Sequence, residues 1–305
     1  MKHKVLSELV EQLASNKNMI IDETRNAWKI CDFSQKEPDI IKSFVSDPGK
    51  GVDYLNNQIA AKFNISQSRF ILKFGGVYAH QRPYVERSSV NHNIRVGTNP
   101  SESCELGDLL CIAVLVDDKK NVLASQASIF QAKVVDGTND PKIDNQTQRW
   151  LYDFDDHFNY KSTSFWEGTA IKHATRQMPL WTDQRSSAFQ YLLLHKSSKK
   201  VDARLSPWNV EHKHEFAFYL YRLLTFSAGK AYEHSEHLGG GWSSIVNDVL
   251  RMGGGIMNGK ARNSPDLDTI IDEFNNFRNH DVFTVNNQMG GTSILVAIMQ
   301  DSDHS

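Results

Sequence analysis

Residues 104–133 read CELGDLLCIAVLVDDKKNVLASQASIFQAK. Leu109 to Val116 is an unbroken apolar run with β-branched Ile112, Val114 and Val116, the composition of a strand buried on both faces. Asp117-Asp118-Lys119-Lys120-Asn121 is a polar turn, and Val122 to Val135 resumes the apolar pattern as a returning antiparallel strand. Successive side chains of a strand alternate between faces, so Gln131 and Lys133 share one face while Phe130 and Ala132 take the other. Antiparallel pairing lays Asp108, at the mouth of the first strand, beside the end of the second. Asp108, Gln131 and Lys133 are therefore expected at one end of a hairpin, with Glu105 one short turn upstream. The glycine between the two acids, Gly107, allows close backbone approach.

Carboxylates, an amide and an ammonium around one point suit metal-dependent cleavage of phosphodiesters. The oxygens hold a hard cation such as Mg²⁺ or Mn²⁺, and the lysine orients or helps deprotonate a bound water beside the phosphate. This layout resembles the PD-(D/E)XK nuclease superfamily, in which an acid at a strand start is followed, in the next strand, by an acid or glutamine, any residue, and lysine. Asp108 takes the place of the family aspartate, Gln131 that of the second ligand and Lys133 that of the lysine. The Gln-x-Lys form departs from the commoner Glu-x-Lys and is similar to a variant among restriction enzymes that act on modified DNA. It leaves one fewer negative charge for the metal, which Glu105 would restore.

The resemblance covers the quoted stretch directly and residues 1–200 loosely. It implies an α/β, restriction-endonuclease-like mixed sheet flanked by helices, and a Mg²⁺- or Mn²⁺-dependent endonuclease acting on nucleic acid. DNA is the expected substrate, and bacterial restriction or anti-phage defence an expected setting. Asp108, Gln131 and Glu105 would ligate the metal. A helix before the first core strand often carries a further acid in this superfamily, and Asp53 stands in that place. Charged residues also sit comfortably at sheet margins, so a second reading stands beside the first: a non-catalytic, nuclease-like interaction or assembly protein in which the glutamine marks lost metal affinity.

The whole chain sets bounds on both. With 305 residues, 40% hydrophobic and 23% charged, it has an ordinary globular composition and ample core. A formal net charge of -2 excludes a protein that coats nucleic acid through overall charge, although a lined cleft needs no such excess. No run of about eighteen apolar residues is present, and the N-terminus is amphipathic with acids rather than a signal peptide, so a cytoplasmic protein without a membrane anchor is expected. Three cysteines without metal-like spacing fit reduced thiols.

Around the hairpin, helices are expected over residues 4–15 and 50–64, and a first core strand over Phe70 to Tyr78, weakened or bulged at Gly75-Gly76. Between them, Trp28, Ile30 and Ile40-Ile41 supply anchors in a stretch of mixed pattern. A long polar stretch follows the first strand; Arg82, Arg87 and Arg95 could meet phosphates there, with His80 and Gln81 at the rim of the site. A helix over Gln146 to Phe154 offers Gln148 and Arg149 as further phosphate contacts, and Phe189 to His195 is a strand. The polar, proline-containing residues 196–208 form a break. The expected division is thus an α/β core over 1–200 and a mainly helical region over 201–305, which could position substrate or mediate assembly as a homo-oligomer or with a partner protein. That region holds expected helices at 214–232, 242–252 and 267–277, and a last strand at 292–299. His212, His214, His234 and His237 do not make a zinc set, because the surrounding pattern is helical and no cysteine lies near. A histidine enzyme built on His80 or His173 lacks a nucleophile at recognisable spacing.

Overall fold

A computed structural model describes residues 2–65, 69–79, 83–87, 103–137, 146–161, 174–209, 211–234, 240–254 and 292–302. The chain opens with helices α1 (Lys2–Ser15), α2 (Lys17–Lys29) and α3 (Glu37–Ser46). Next comes one helical rod made of α4 (Gly51–Leu55), a π turn (Asn56–Ala60) and α5 (Ala61–Ile65). Strands β1 (Phe70–Val77), β2 (Tyr84–Arg87), β3 (Ser103–Glu105), β4 (Leu109–Val116) and β5 (Val122–Val135) precede helix α6 (Gln146–Asp153). After them come β6 (His157–Tyr160), β7 (Thr175–Gln177), α7 (Arg185–Ala188), β8 (Phe189–His195), β9 (Lys200–Leu205) and β10 (Lys213–Glu215). The chain continues through α8 (Phe216–Leu224), β11 (Lys230–Ala231), α9 (Trp242–Gly254) and β12 (Ser293–Asp301).

The result is an α/β protein on a mixed eight-stranded sheet in the order β1-β12-β4-β5-β8-β9-β10, with β11 pairing the start of β5. The β12–β4 and β5–β8 pairs are parallel and the others antiparallel. Every residue of β4 is buried, as its unbroken apolar run requires of a strand covered on both faces. On one face, α1 to α5 and α8 pack over Phe130, Ala132, Leu192 and Leu194. On the other, α6, α9 and a small antiparallel sheet (β3-β2-β6-β7) cover Ile112, Ile129, Tyr191 and Leu193. The first face is keyed by aromatics: Trp28 stacks on Phe44 at 3.8 Å, Phe216 meets both edge-on, and Phe130 of β5 meets Phe216 and Tyr219. This cluster ties α2, α3 and α8 to the strand that carries Gln131 and Lys133.

Several expectations are corrected. β12 lies between β1 and β4, so the C-terminal strand completes the middle of the sheet, and the division expected near residue 200 falls at a hairpin inside one sheet. Residues 200–205, expected as part of a break, form β9, because its charged side chains find partners: Asp202 meets His195 and Lys200, and Arg204 lies on the Trp208 ring. The helix expected from His214 to Tyr232 starts at Phe216 and stops at Leu224, where Phe226 turns left-handed (φ 55°) and the Ser227 N–H donates to the Arg222 carbonyl at 2.8 Å. No bulge interrupts β1, since Gly75 and Gly76 pair in register with Val296 and Leu295. The glycine at 76 serves packing instead: a Cβ there would lie 2.0 Å from the Val45 carbonyl oxygen, so α3 reaches the strand only over a bare backbone. The helix expected at 267–277 lies outside the described residues.

Candidate functional site

The hairpin register places Leu109 opposite Phe130, so Asp108 stands against Gln131 and the last residues of β5 run on past the mouth of β4. There they continue along β8, with Lys133 opposite Leu193. Glu37 of α3, Gln148 of α6 and Glu105 of β3 come together around Lys133 at this end of β5, an arrangement termed the notch.

Asp108 is fixed from several sides. Its N–H donates to the Phe130 carbonyl at 2.8 Å, and its carbonyl accepts the Ser293 N–H at 3.1 Å, which ties the mouth of β4 to both neighbouring strands. The carboxylate oxygen Oδ2 accepts the Ala132 N–H at 2.7 Å and the Gln131 side-chain amide. Gly107 makes this approach possible, because a Cβ there would lie 2.4 Å from Ile129 Cγ2 and 3.1 Å from the Phe130 carbonyl oxygen. Thr292 and Tyr152 hold the same turn by donating to the carbonyls of Gly107 and Leu106.

Lys133 projects from the same face of β5 as Gln131 and is 15% exposed, close enough to solvent to meet a ligand. Its Nζ donates to Gln148 Oε1 at 3.1 Å and lies 3.9 Å from a carboxylate oxygen of Glu37. Glu37 begins α3, where Pro38 pre-sets the first turn, and it is the one site acid that the sequence reading overlooked. Lys36-Glu37-Pro38-Asp39 ahead of the apolar pair Ile40-Ile41 is a legible helix start; its distance in sequence from the hairpin concealed the contact. Glu105, on β3, pairs across the small sheet with Tyr84.

The electrostatics of the notch are unbalanced. Burial pushes the Glu37 carboxyl up to about 8; Asp108 and Glu105 push the same way, while Lys133 and a hydrogen bond from the Val134 N–H oppose them. Burial, with Asp108 second, pushes Glu105 up to about 7 against the pull of Lys133 and a hydrogen bond from Tyr84. Among the described residues, Glu37 and Glu105 thus share Lys133 while Asp108 repels both. Gln131 is 1% exposed, and its carbonyl oxygen has no hydrogen-bond partner. A buried amide oxygen left bare costs about 1–3 kcal/mol unless something else engages it.

These groups fit a hard divalent cation. Among the described residues no three His, Cys, Asp or Glu side chains close to metal-holding distance. Mg²⁺, however, usually keeps several waters and needs only one or two carboxylates, and the unengaged Gln131 oxygen supplies a further ligand of the right kind. Asp108, Gln131 and Glu105 would be the holders.

Other expected contacts fall elsewhere. Arg87 is buried in a two-bonded pair with Asp155 (2.7 and 3.2 Å) and lies over the Trp150 ring, so it is unavailable to phosphate. Asp53 accepts the Gly49 N–H at 2.6 Å and closes the turn before α4, so the helix acid at the site is Glu37 instead. Gln148 serves Lys133, and Arg149 binds Asp153 at 3.3 Å and Asn209. His214 lies in the strand β10 rather than in a helix. His80, Gln81, Arg82, Arg95, His173 and His237 lie outside the described residues. Comparison of the chain with protein-family models, with curated proteins and with solved structures finds no match.

Proposed function

We propose that the protein is a metal-dependent nuclease that hydrolyses phosphodiester bonds at the notch, with DNA as substrate and restriction or defence against foreign DNA as its setting. The observation that carries this reading is the bare carbonyl oxygen of buried Gln131 beside the Asp108 carboxylate, with Glu37, Glu105 and Lys133 close by. When bound, Mg²⁺ or Mn²⁺ would activate a water and offset the charge that develops on the scissile phosphate. The chain's own residues do the rest. Asp108 is held rigid by backbone N–H groups, so its free geometry is set before substrate arrives. Lys133, steadied by Gln148 and Glu37, presents its ammonium to the attacking water or to a phosphate oxygen. Glu105 and Glu37, raised to about 7 and about 8, hold protons near neutral pH that a bound cation would displace.

No helix among the described residues is long and apolar enough to cross a membrane. Buried, unpaired Cys31, Cys104 and Cys111 suit a cytoplasmic enzyme. The test is supercoiled plasmid with Mg²⁺: wild type should nick it, while Asp108→Ala and Lys133→Ala should lose at least about 100-fold in rate. Full nicking by both folded variants would dismiss the assignment.

A second reading has one observation in its favour. Asp108 Oδ2 already accepts both the Gln131 amide and the Ala132 N–H, which is also how a structural clasp would look. A clasp in a non-catalytic assembly protein would take up no divalent cation that depends on Asp108.

A further inference from the structure

Beyond the notch, the sheet continues into the β8–β9 turn, residues 195–200, which read HKSSKK: three lysines and a histidine in six positions. The registers fix where this turn lies. Lys133 is opposite Leu193, Val135 is opposite His195, and His195 pairs with Lys200. The turn therefore begins two residues past Lys133 on the neighbouring strand, about 7 Å further along the strands, and His195 shares the face of Lys133.

Its charges are not cancelled where they stand. Asp202 is the acid that faces the turn, and it is shared between His195 Nε2 at 3.1 Å and Lys200 Nζ at 3.0 Å. Glu215, the other nearby acid, is held two-bonded by Arg25 at 2.9 and 2.8 Å. Lys196 has no ion pair among the described residues. Lys199 takes a left-handed backbone (φ 52°), a conformation that glycine or asparagine adopts at less cost, and its Nζ donates to the Lys29 carbonyl at 3.3 Å. That bond braces the turn on the end of α2. A crevice of about 50 Å³ lies between them on the α2 face of the sheet, with Trp28, Val201 and Ala217 beside Arg25, Lys199 and Glu215. In a chain of net charge -2, the turn is a local excess of cations at the strand end past Lys133.

We infer that the β8–β9 turn is a rail for the phosphate backbone of the nucleic acid whose scissile phosphate lies at Lys133, an inference that rests on the nuclease reading of the notch. Backbone phosphates advance about 3.4 Å per nucleotide along a duplex strand, so the start of the turn sits about two steps from Lys133. The lysines meet phosphates without reading bases, so the contact fixes position rather than sequence.

Fluorescence anisotropy with a short labelled DNA duplex, and with single-stranded RNA of the same sequence, tests this over a salt series in Ca²⁺. The variant Lys196→Gln/Lys199→Asn/Lys200→Gln should lower the log–log salt slope by about 2–3 and weaken binding at least about tenfold at low salt. Lys119→Gln/Lys120→Asn, in the turn at the opposite end of the β4–β5 hairpin, should match wild type. If the triple variant unfolds, Lys196→Gln and Lys199→Asn singly should each lower the slope by about 1. A wild-type slope in the turn variants, with wild-type nicking intact, overturns the rail and leaves the nuclease reading standing. Wild-type protein that binds neither nucleic acid overturns both.

Discussion

Among the described residues, two groups of carboxylates are treated in opposite ways. Beneath the small sheet, Asp155 receives two bonds from Arg87 and Asp248 receives two from Arg176, each acid matched to its own guanidinium. At the mouth of β4, Glu37 and Glu105 share Lys133 beside Asp108, and both are pushed far above their ordinary range. A matched pair needs nothing further and works as a strut. An unmatched cluster is costly to hold and stays open to a cation that would balance it. Net buried charge, rather than the presence of buried charge, separates scaffold from site here.

Removing one acid from each place should break the comparison if it is wrong. Asp155→Ala strands a fully buried guanidinium and is expected to cost about 3–5 kcal/mol in urea unfolding. A loss under about 1 kcal/mol would mean that the pair is not a strut. Gly107→Val pushes methyls into Ile129 and the Phe130 carbonyl, and should cost about 1–3 kcal/mol while displacing Asp108, so nicking falls more than stability does.

Glu37→Gln should act in the other direction. Its folded-state carboxyl titrates near 8 against an ordinary 4.5, so the native state holds the proton more tightly than the unfolded chain. Wild-type stability is then greatest below about pH 4.5, as far as this group decides it, and declines as pH rises through 8. The glutamine removes that decline, so its advantage over wild type should grow from pH 5 to pH 8. Equal stability of the two proteins at both pH values would show that the fold does not raise the Glu37 carboxyl. Arg149→Ala should change stability by less than about 1 kcal/mol, because its partner Asp153 also accepts from Tyr191 and the Trp208 N–H.

Much of the sheet is legible in the residues because its strands are apolar runs with polar ends. β4, β5 and β8 begin and end where the apolar pattern does, and the facing of Asp108 and Gln131 follows from hairpin geometry alone. β9 escapes such reading, because Asp202 and Arg204 are buried only by virtue of partners on β8 and at Trp208. Neither does local pattern reveal that β12 enters between β1 and β4, since strand order is decided by long-range packing. Glu37 was hidden for the same reason: α3 comes to the notch through the Trp28–Phe44–Phe216 cluster and the bare backbone at Gly76, neither of which marks a glutamate as part of a site. The sequence motif located the floor of the notch, and the tertiary fold supplied one of its walls.

Calorimetric titration with Mn²⁺ tests the unmatched cluster most directly. The wild-type protein should bind one ion and release protons near pH 7, since Glu105 and Glu37 titrate at about 7 and about 8, while Asp108→Asn and Gln131→Leu should each weaken uptake at least tenfold. No uptake by the wild type, or the same uptake by all three proteins, would contradict the account.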